Sequence, residues 1–140
     1  MDAKQLYALY QQHPKVTTDS RNCPEGSIFI ALKGASFNGN KFAKAALEKG
    51  CSYAIVDEAE YAEAGNNRFI LVDNALVAYK ELAREHRRNI DIPVIGITGT
   101  NGKTTSKELI SAVLAEKYKV HHTLGNFNND IGVPRTLLEM

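Results

Sequence analysis

The segment GITGTNGKTT, residues 96–105, sets one lysine among three glycines and four threonines, directly after the apolar run IPVI. Such a stretch gives up core-forming side chains for backbone freedom and hydroxyl groups. Gly99 and Gly102 permit backbone angles closed to other residues and leave room for phosphate oxygens. Successive amides around them then face one concavity, a nest for anions. Lys103 opens a helix, whose N-terminus adds partial positive charge. Its ammonium can reach the outer phosphates, and the Thr104 hydroxyl is placed to ligate magnesium. The strict pattern G-x-x-x-x-G-K-[ST] would need glycine at 97, where Ile97 stands, so the early turn falls to Gly99. The plainer alternative is a glycine-rich strand-to-helix turn with an incidental lysine.

That loop needs a strand to deliver it and a helix to receive it. The 140 residues have room for one domain, or one small domain and part of another. Their apolar fraction of 44% and charged fraction of 24% are those of a globular chain. Seventeen basic residues against sixteen acidic ones argue against a general nucleic-acid binder. A local phosphate site needs only one lysine and some amides. Cys23 and Cys51 have no metal-ligand spacing and read as reduced thiols of a cytoplasmic protein. The N-terminus, MDAKQLYALYQQH, is too polar for a signal peptide, and no apolar run reaches membrane length. His13, His86, His121 and His122 show no metal-ligand spacing either.

The elements follow from periodicity. Asp2 caps a first helix with Leu6, Leu9 and Tyr10 on one face, ended by His13-Pro14. SIFIAL, residues 27–32, SYAIVD and RFILVD read as strands. KFAKAALEKG reads as a helix that buries Phe42, Ala45 and Ala46, with Gly50 as its left-handed end. Asp73 is expected to cap a helix over 74–89 with Leu76, Tyr79, Leu82, Ala83 and His86 inward. A strand over 93–97, a helix over 103–118 with Leu109, Ile110, Val113 and Leu114 as its stripe, and a strand at KVHHT complete the pattern. Pro134 is expected to open a last helix. Alternating strands and helices predict an α/β fold. Residues 1–90 read as one domain and 91–140 as the beginning of another. The ~50 residues of the second are too few for a nucleotide-binding α/β domain, so the chain is expected to be the N-terminal part of a longer protein.

TGTNGKTT resembles the ATP-binding loop of the Mur ligases, the cytoplasmic enzymes that add amino acids to the peptidoglycan precursor. That loop has the form G-T-x-G-K-T, so Ile97 is no departure from it. TTDSR, GSIFIALKG and FNGNKFAKAALEKG are similar to the family's N-terminal uridine-nucleotide domain. GNFNNDIGVPRTLL is similar to the segment that follows the loop in the members that use D-alanyl-D-alanine. The resemblance therefore implies a small N-terminal α/β uridine-nucleotide-binding domain followed by the start of a P-loop α/β ATPase domain. It implies an ATP- and magnesium-dependent amide ligase that joins D-alanyl-D-alanine to UDP-N-acetylmuramoyl-tripeptide. It also implies a monomer when full-length, with no nucleic-acid or membrane partner.

Carried over position by position, Thr98, Gly99, Thr100, Asn101, Gly102, Lys103 and Thr104 would cradle the ATP phosphates. Lys103 would stabilise the transferring phosphoryl group, and Thr104 would bind the metal. Ser20 and Arg21 would sit near the uridine diphosphate, with Asp19 orienting Arg21 or capping a turn. The loop over 33–40, with Lys33 and Asn38, would close over the same nucleotide. Relatives often carry Asp-Gly-His where this chain has Asn38-Gly39-Asn40. Asn126, Asn128 and Asn129 would hold substrate near the phosphate loop. Each has a structural alternative: DSR as a common turn, 33–40 as a surface loop, and the asparagines as turn formers. Two further functional readings share the residues, another Mur ligase or folate polyglutamylating enzyme, and a nucleotide-binding module without catalysis.

Overall fold

The computed structural model describes residues 1–140 as an α/β fold. Asp2 caps α1 (Ala3–Gln12): its carboxylate accepts from the Gln5 amide at 2.8 Å, while the Gln5 side chain accepts from the Asp2 amide at 2.9 Å. The reciprocal pair satisfies two of the donors that a helix start leaves open. β1 (Val16–Thr17), β2 (Ile28–Ile30), β3 (Tyr53–Val56) and β4 (Phe69–Leu71) form one parallel sheet in chain order. Between β2 and β3 lie a short 3-10 turn (Gly39–Phe42) and α2 (Ala43–Glu48). The remaining helices are α3 (Ala75–Arg88), α4 (Lys103–Ala115) and α5 (Gly132–Leu138). None is long and apolar enough to cross a membrane.

The pleat sorts the apolar residues into two cores. Ile28, Ile30, Leu32, Ile55 and Ile70 face α1, α3 and the end of α5, meeting Leu6, Tyr10, Tyr79, Leu82 and Leu138. Phe29, Ala31, Ala54 and Val56 face α2, meeting Ala43, Ala46 and Leu47. A sheet covered on both sides needs a continuous apolar run, which is why SIFIAL shows no alternation. Each fully buried isoleucine or phenylalanine there contributes roughly 1.5–3 kcal/mol of transfer free energy.

Several expectations are corrected. α2 buries Ala43, Ala46 and Leu47, while Phe42 is exposed, because the 3-10 turn before it rotates the helix relative to a continuous one. Asn74, and not Asp73, caps α3: its side chain accepts from the Val77 amide at 2.9 Å. Residues 93–97 and 119–123 form no strands. A strand exists only as part of a hydrogen-bonded ladder, and neither segment finds a neighbour in this chain. α4 ends at Ala115 and not at 118. Its apolar stripe faces solvent, with Leu109 64% and Val113 73% exposed; only Ser111 on that helix is buried.

Candidate functional site

The glycine loop reaches α4 without regular structure. Gly102, φ 76°, is the N-cap of α4 and carries no side chain to close the helix start. Gly99, φ 151°, makes the preceding turn. As a result no backbone N–H from Thr100 to Thr105 has an acceptor within the chain. A run of open donors at the positive end of a 13-residue helix is the arrangement that holds an anion. The Lys103 ammonium folds back onto the Gly99 carbonyl, so its charge lies on the loop. Thr98, Thr100, Asn101 and Thr104 are exposed around it. The hydroxyl of Thr104 has no partner in the chain.

A second set of side chains gathers where the parallel strands end. The chain leaves β1 into the Asp19-Ser20-Arg21 turn, β2 into the loop over 33–40, and β3 into Asp57. In open parallel sheets this carboxyl edge is where ligands bind. Asp19 holds Arg21 through a two-pronged pair, Nε to Oδ1 at 2.9 Å and Nη2 to Oδ2 at 2.8 Å. Asp19 also accepts from the Arg21 amide at 2.9 Å. These bonds from Arg21 pull the Asp19 carboxyl down to about 2. The Arg21 side chain remains 88% exposed. The Ser20 carbonyl accepts from the Lys49 ammonium at 2.8 Å, which ties the turn to the end of α2.

Asp57 organises the next loop. Its side chain is 3% exposed. It accepts from the Asn40 amide group at 2.9 Å and from the Ala75 backbone at 3.1 Å, and it pairs with Lys33 at 3.1 Å. Asn40, buried, accepts in turn from the Asp57 amide through its side-chain carbonyl oxygen at 3.0 Å. Burial alone would raise the Asp57 pKa, but the bonds from Ala75, Asn40 and Lys33 outweigh it and the net shift is downward. Asn38 accepts from Asn40 and donates to Glu58 at 2.7 Å. Lys33 also approaches Glu58 at 3.4 Å, and its bond to Asp57 is the chief reason its pKa is raised. Lys33 and Asn38 are thus held in a network that shapes the loop.

The asparagine loop is exposed from Asn126 to Asn129. Asn129 accepts from the Gly132 amide at 2.7 Å and from the Ile131 amide at 3.2 Å, and so starts α5. Pro134 lies inside the first turn of that helix. The sequence reading missed two residues. Asp57 ends an apolar strand, as a loop-anchoring acid would, but its partners lie 17 to 24 positions away in sequence. Lys107, one turn after Lys103, reads as an ordinary surface lysine, yet its side chain is only 15% exposed.

Comparison with known proteins decides the family. The description "Mur ligase family, catalytic domain" matches residues 14–97, and "Mur ligase middle domain" matches residues 97–140. The chain belongs to the Mur ligase family. Among curated relatives, the UDP-N-acetylmuramoyl-tripeptide–D-alanyl-D-alanine ligase of Bacillus subtilis is 44% identical over 125 residues, covering 89% of this chain and 27% of that protein. Among solved structures, the MurF ligase of Thermotoga maritima in complex with ADP superposes with a TM-score of 0.79 at 33% identity. That match covers 91% of this chain and 29% of the other. MurF of Acinetobacter baumannii gives 0.82 at 33% identity, covering 99% and 32%. The chain therefore spans under a third of the length of the Mur ligases it matches.

Proposed function

We propose that this chain carries the UDP-substrate region, residues 1–90, and the start of the ATP-binding region, residues 91–140, of a Mur ligase. The reaction is the ATP-dependent addition of D-alanyl-D-alanine to UDP-N-acetylmuramoyl-tripeptide. One observation carries the reading above the others: the open amides of residues 100–105, with the Lys103 ammonium held on the Gly99 carbonyl of the same loop. The likeness to a MurF bound to ADP supports ATP as the nucleotide.

The chemistry explains why such a loop is needed. A carboxylate repels nucleophiles and has no leaving group. Its oxygen attacks the γ-phosphorus of ATP, the bond to the β-phosphate oxygen breaks, and ADP departs. The amine of D-alanyl-D-alanine then attacks the acyl carbon, phosphate leaves, and the amine sheds a proton. Catalysis of such a transfer is positioning and charge neutralisation. Thr98, Gly99, Thr100, Asn101 and Gly102 form the cradle, and Lys103 sets its charge against the transferring group. Arg21 and Ser20 face the uridine diphosphate, with Lys33 and Asn38 shaping the loop beside it. Asn126, Asn128 and Asn129 present amide groups to the peptide end.

Magnesium fits the residues present. The chain has no cluster of three or more histidine, cysteine or acidic side chains that could cage an ion. Magnesium asks for none, since it keeps its waters and takes one or two protein oxygens beside the phosphates. The Thr104 hydroxyl is the group here that would hold it. When bound, the ion offsets the charge of the triphosphate.

The test is a coupled assay on the complete ligase. ADP release should require the UDP-tripeptide, D-alanyl-D-alanine and magnesium ATP together, and exchanging the amine donor separates this reading from other Mur ligases. Lys103→Ala should lower turnover by on the order of a thousandfold while the fold persists by circular dichroism. ADP release independent of the amine, or full activity in Lys103→Ala, would reject the assignment.

A further inference from the structure

We propose that Lys107 is a positioning residue, tying the asparagine loop to the helix that carries the phosphate-binding lysine. The inference rests on the ligase reading above. Lys103 and Lys107 lie four apart on α4, so they share one face of the helix. Lys103 turns back to the glycine loop, and Lys107 reaches the other way along the chain. Its ammonium donates to the Thr123 carbonyl and to the Gly125 carbonyl, the latter at 2.9 Å. Neither carbonyl accepts any other bond. The contact spans 16 to 18 residues of sequence.

The Lys107 side chain is only 15% exposed on a helix most of whose residues are exposed, which marks the contact as built in. Glu108 approaches it at 2.9 Å and offsets its charge, with His122 at 3.9 Å from the second Glu108 oxygen. The far end of the same segment is fastened elsewhere. Asp130 pairs with Lys80 on α3 at 2.7 Å, and Asn129 starts α5. Residues 123–130 are therefore strung between the phosphate-loop helix and the helices on the sheet. The Lys107 end is the one that bonds this segment to the helix carrying Lys103. A shift of about 1 Å in such a loop is enough to cost two orders of magnitude in rate.

Lys107→Met removes the donor and keeps most of the stem, and Lys107→Arg restores donors to both carbonyls. In the complete ligase, Lys107→Met should lower kcat/KM for the UDP-tripeptide by on the order of 10- to 100-fold. ADP affinity and thermal midpoint should stay near wild type, because the glycine loop is untouched. Amide exchange over 123–130 should quicken, and Lys107→Arg should recover most of both changes. Wild-type kinetics in Lys107→Met overturn the proposal. Loss of ADP affinity in parallel with turnover, or no recovery by arginine, overturns it too. An inactive wild type sinks the ligase reading and this proposal together. An active wild type matched by Lys107→Met sinks this proposal alone.

Discussion

Asp57 shows how much one buried carboxylate can organise. It ties the loop over 33–40 to the end of β3 and to the first turn of α3. Replacing it by alanine leaves the Ala75 amide without an acceptor and takes one of the two acceptors from the buried Asn40 amide group. Such a loss costs about 1–3 kcal/mol per unsatisfied group. Asp57→Ala is thus expected to lower stability by roughly 2–6 kcal/mol in urea unfolding. The pH dependence follows from its lowered pKa. The folded state prefers the charged form, so the stabilisation is complete above the unfolded carboxylate value of about 3.9. It is lost as pH falls through the lower, folded value. Asp19, held at about 2 by Arg21, titrates in the same acid range. Asp57→Asn should flatten the acid limb of the unfolding profile relative to wild type, and an unchanged limb would assign that limb to other groups.

At the scale of elements, the start of α4 departs from the other long helices. α1 and α3 are closed by side chains, Asp2 and Asn74, whereas α4 begins at a glycine with nothing to close it. A glycine in place of a capping side chain gives up roughly a few tenths of a kcal/mol and leaves the amides open to an incoming anion. A Cβ at Gly102 would meet no neighbouring atom, so the cost of Gly102→Ala is backbone strain at φ 76° and not a clash. That strain is roughly 1–2 kcal/mol. The helix relieves it by turning the loop toward angles that alanine accepts, which moves the amides off their common centre. Gly102→Ala should therefore weaken ADP binding about tenfold or more by calorimetry while the sheet core melts as before. Unchanged affinity would mean that the amides do not bind the phosphates.

At the scale of the whole molecule, α5 returns to pack against α3 and α1. Leu138 enters the core of the first helix, and the Tyr10 hydroxyl donates to its carbonyl at 2.7 Å across 128 residues of sequence. His86 sits in that junction, 8% exposed, its ring 4.9 Å from that of Tyr10 and 5.9 Å from that of Tyr7. Neither ring nitrogen has a hydrogen-bond partner. Burial pushes its pKa below the ordinary histidine value and outweighs an opposing pull from the Met140 backbone, which lies near the ring outside hydrogen-bond geometry. The folded state therefore prefers neutral imidazole, and stability falls as pH drops below the unfolded value of about 6.5. The thermal midpoint should fall between about pH 7.5 and 5.5, before the carboxylates titrate, and His86→Phe should shrink that drop. An equal drop in both proteins would place the titrating group elsewhere.

What the sequence by itself determined is everything that depends on near neighbours. The loop at 99–104, the Asp2 cap, the apolar strands 27–32 and 53–56, and the inner stripe of α3 all follow from residues within one or two turns of each other. Position-by-position likeness carried the family from the same local runs. Contacts between distant parts of the chain were decided only by the tertiary structure. Asp57 and Lys107 look like ordinary charged residues until the fold brings them to Asn40, Ala75, Thr123 and Gly125. Residues 93–97 and the stripe on α4 failed as buried elements for the same reason. Apolar pattern states a preference for burial, and only a packed neighbour can satisfy it.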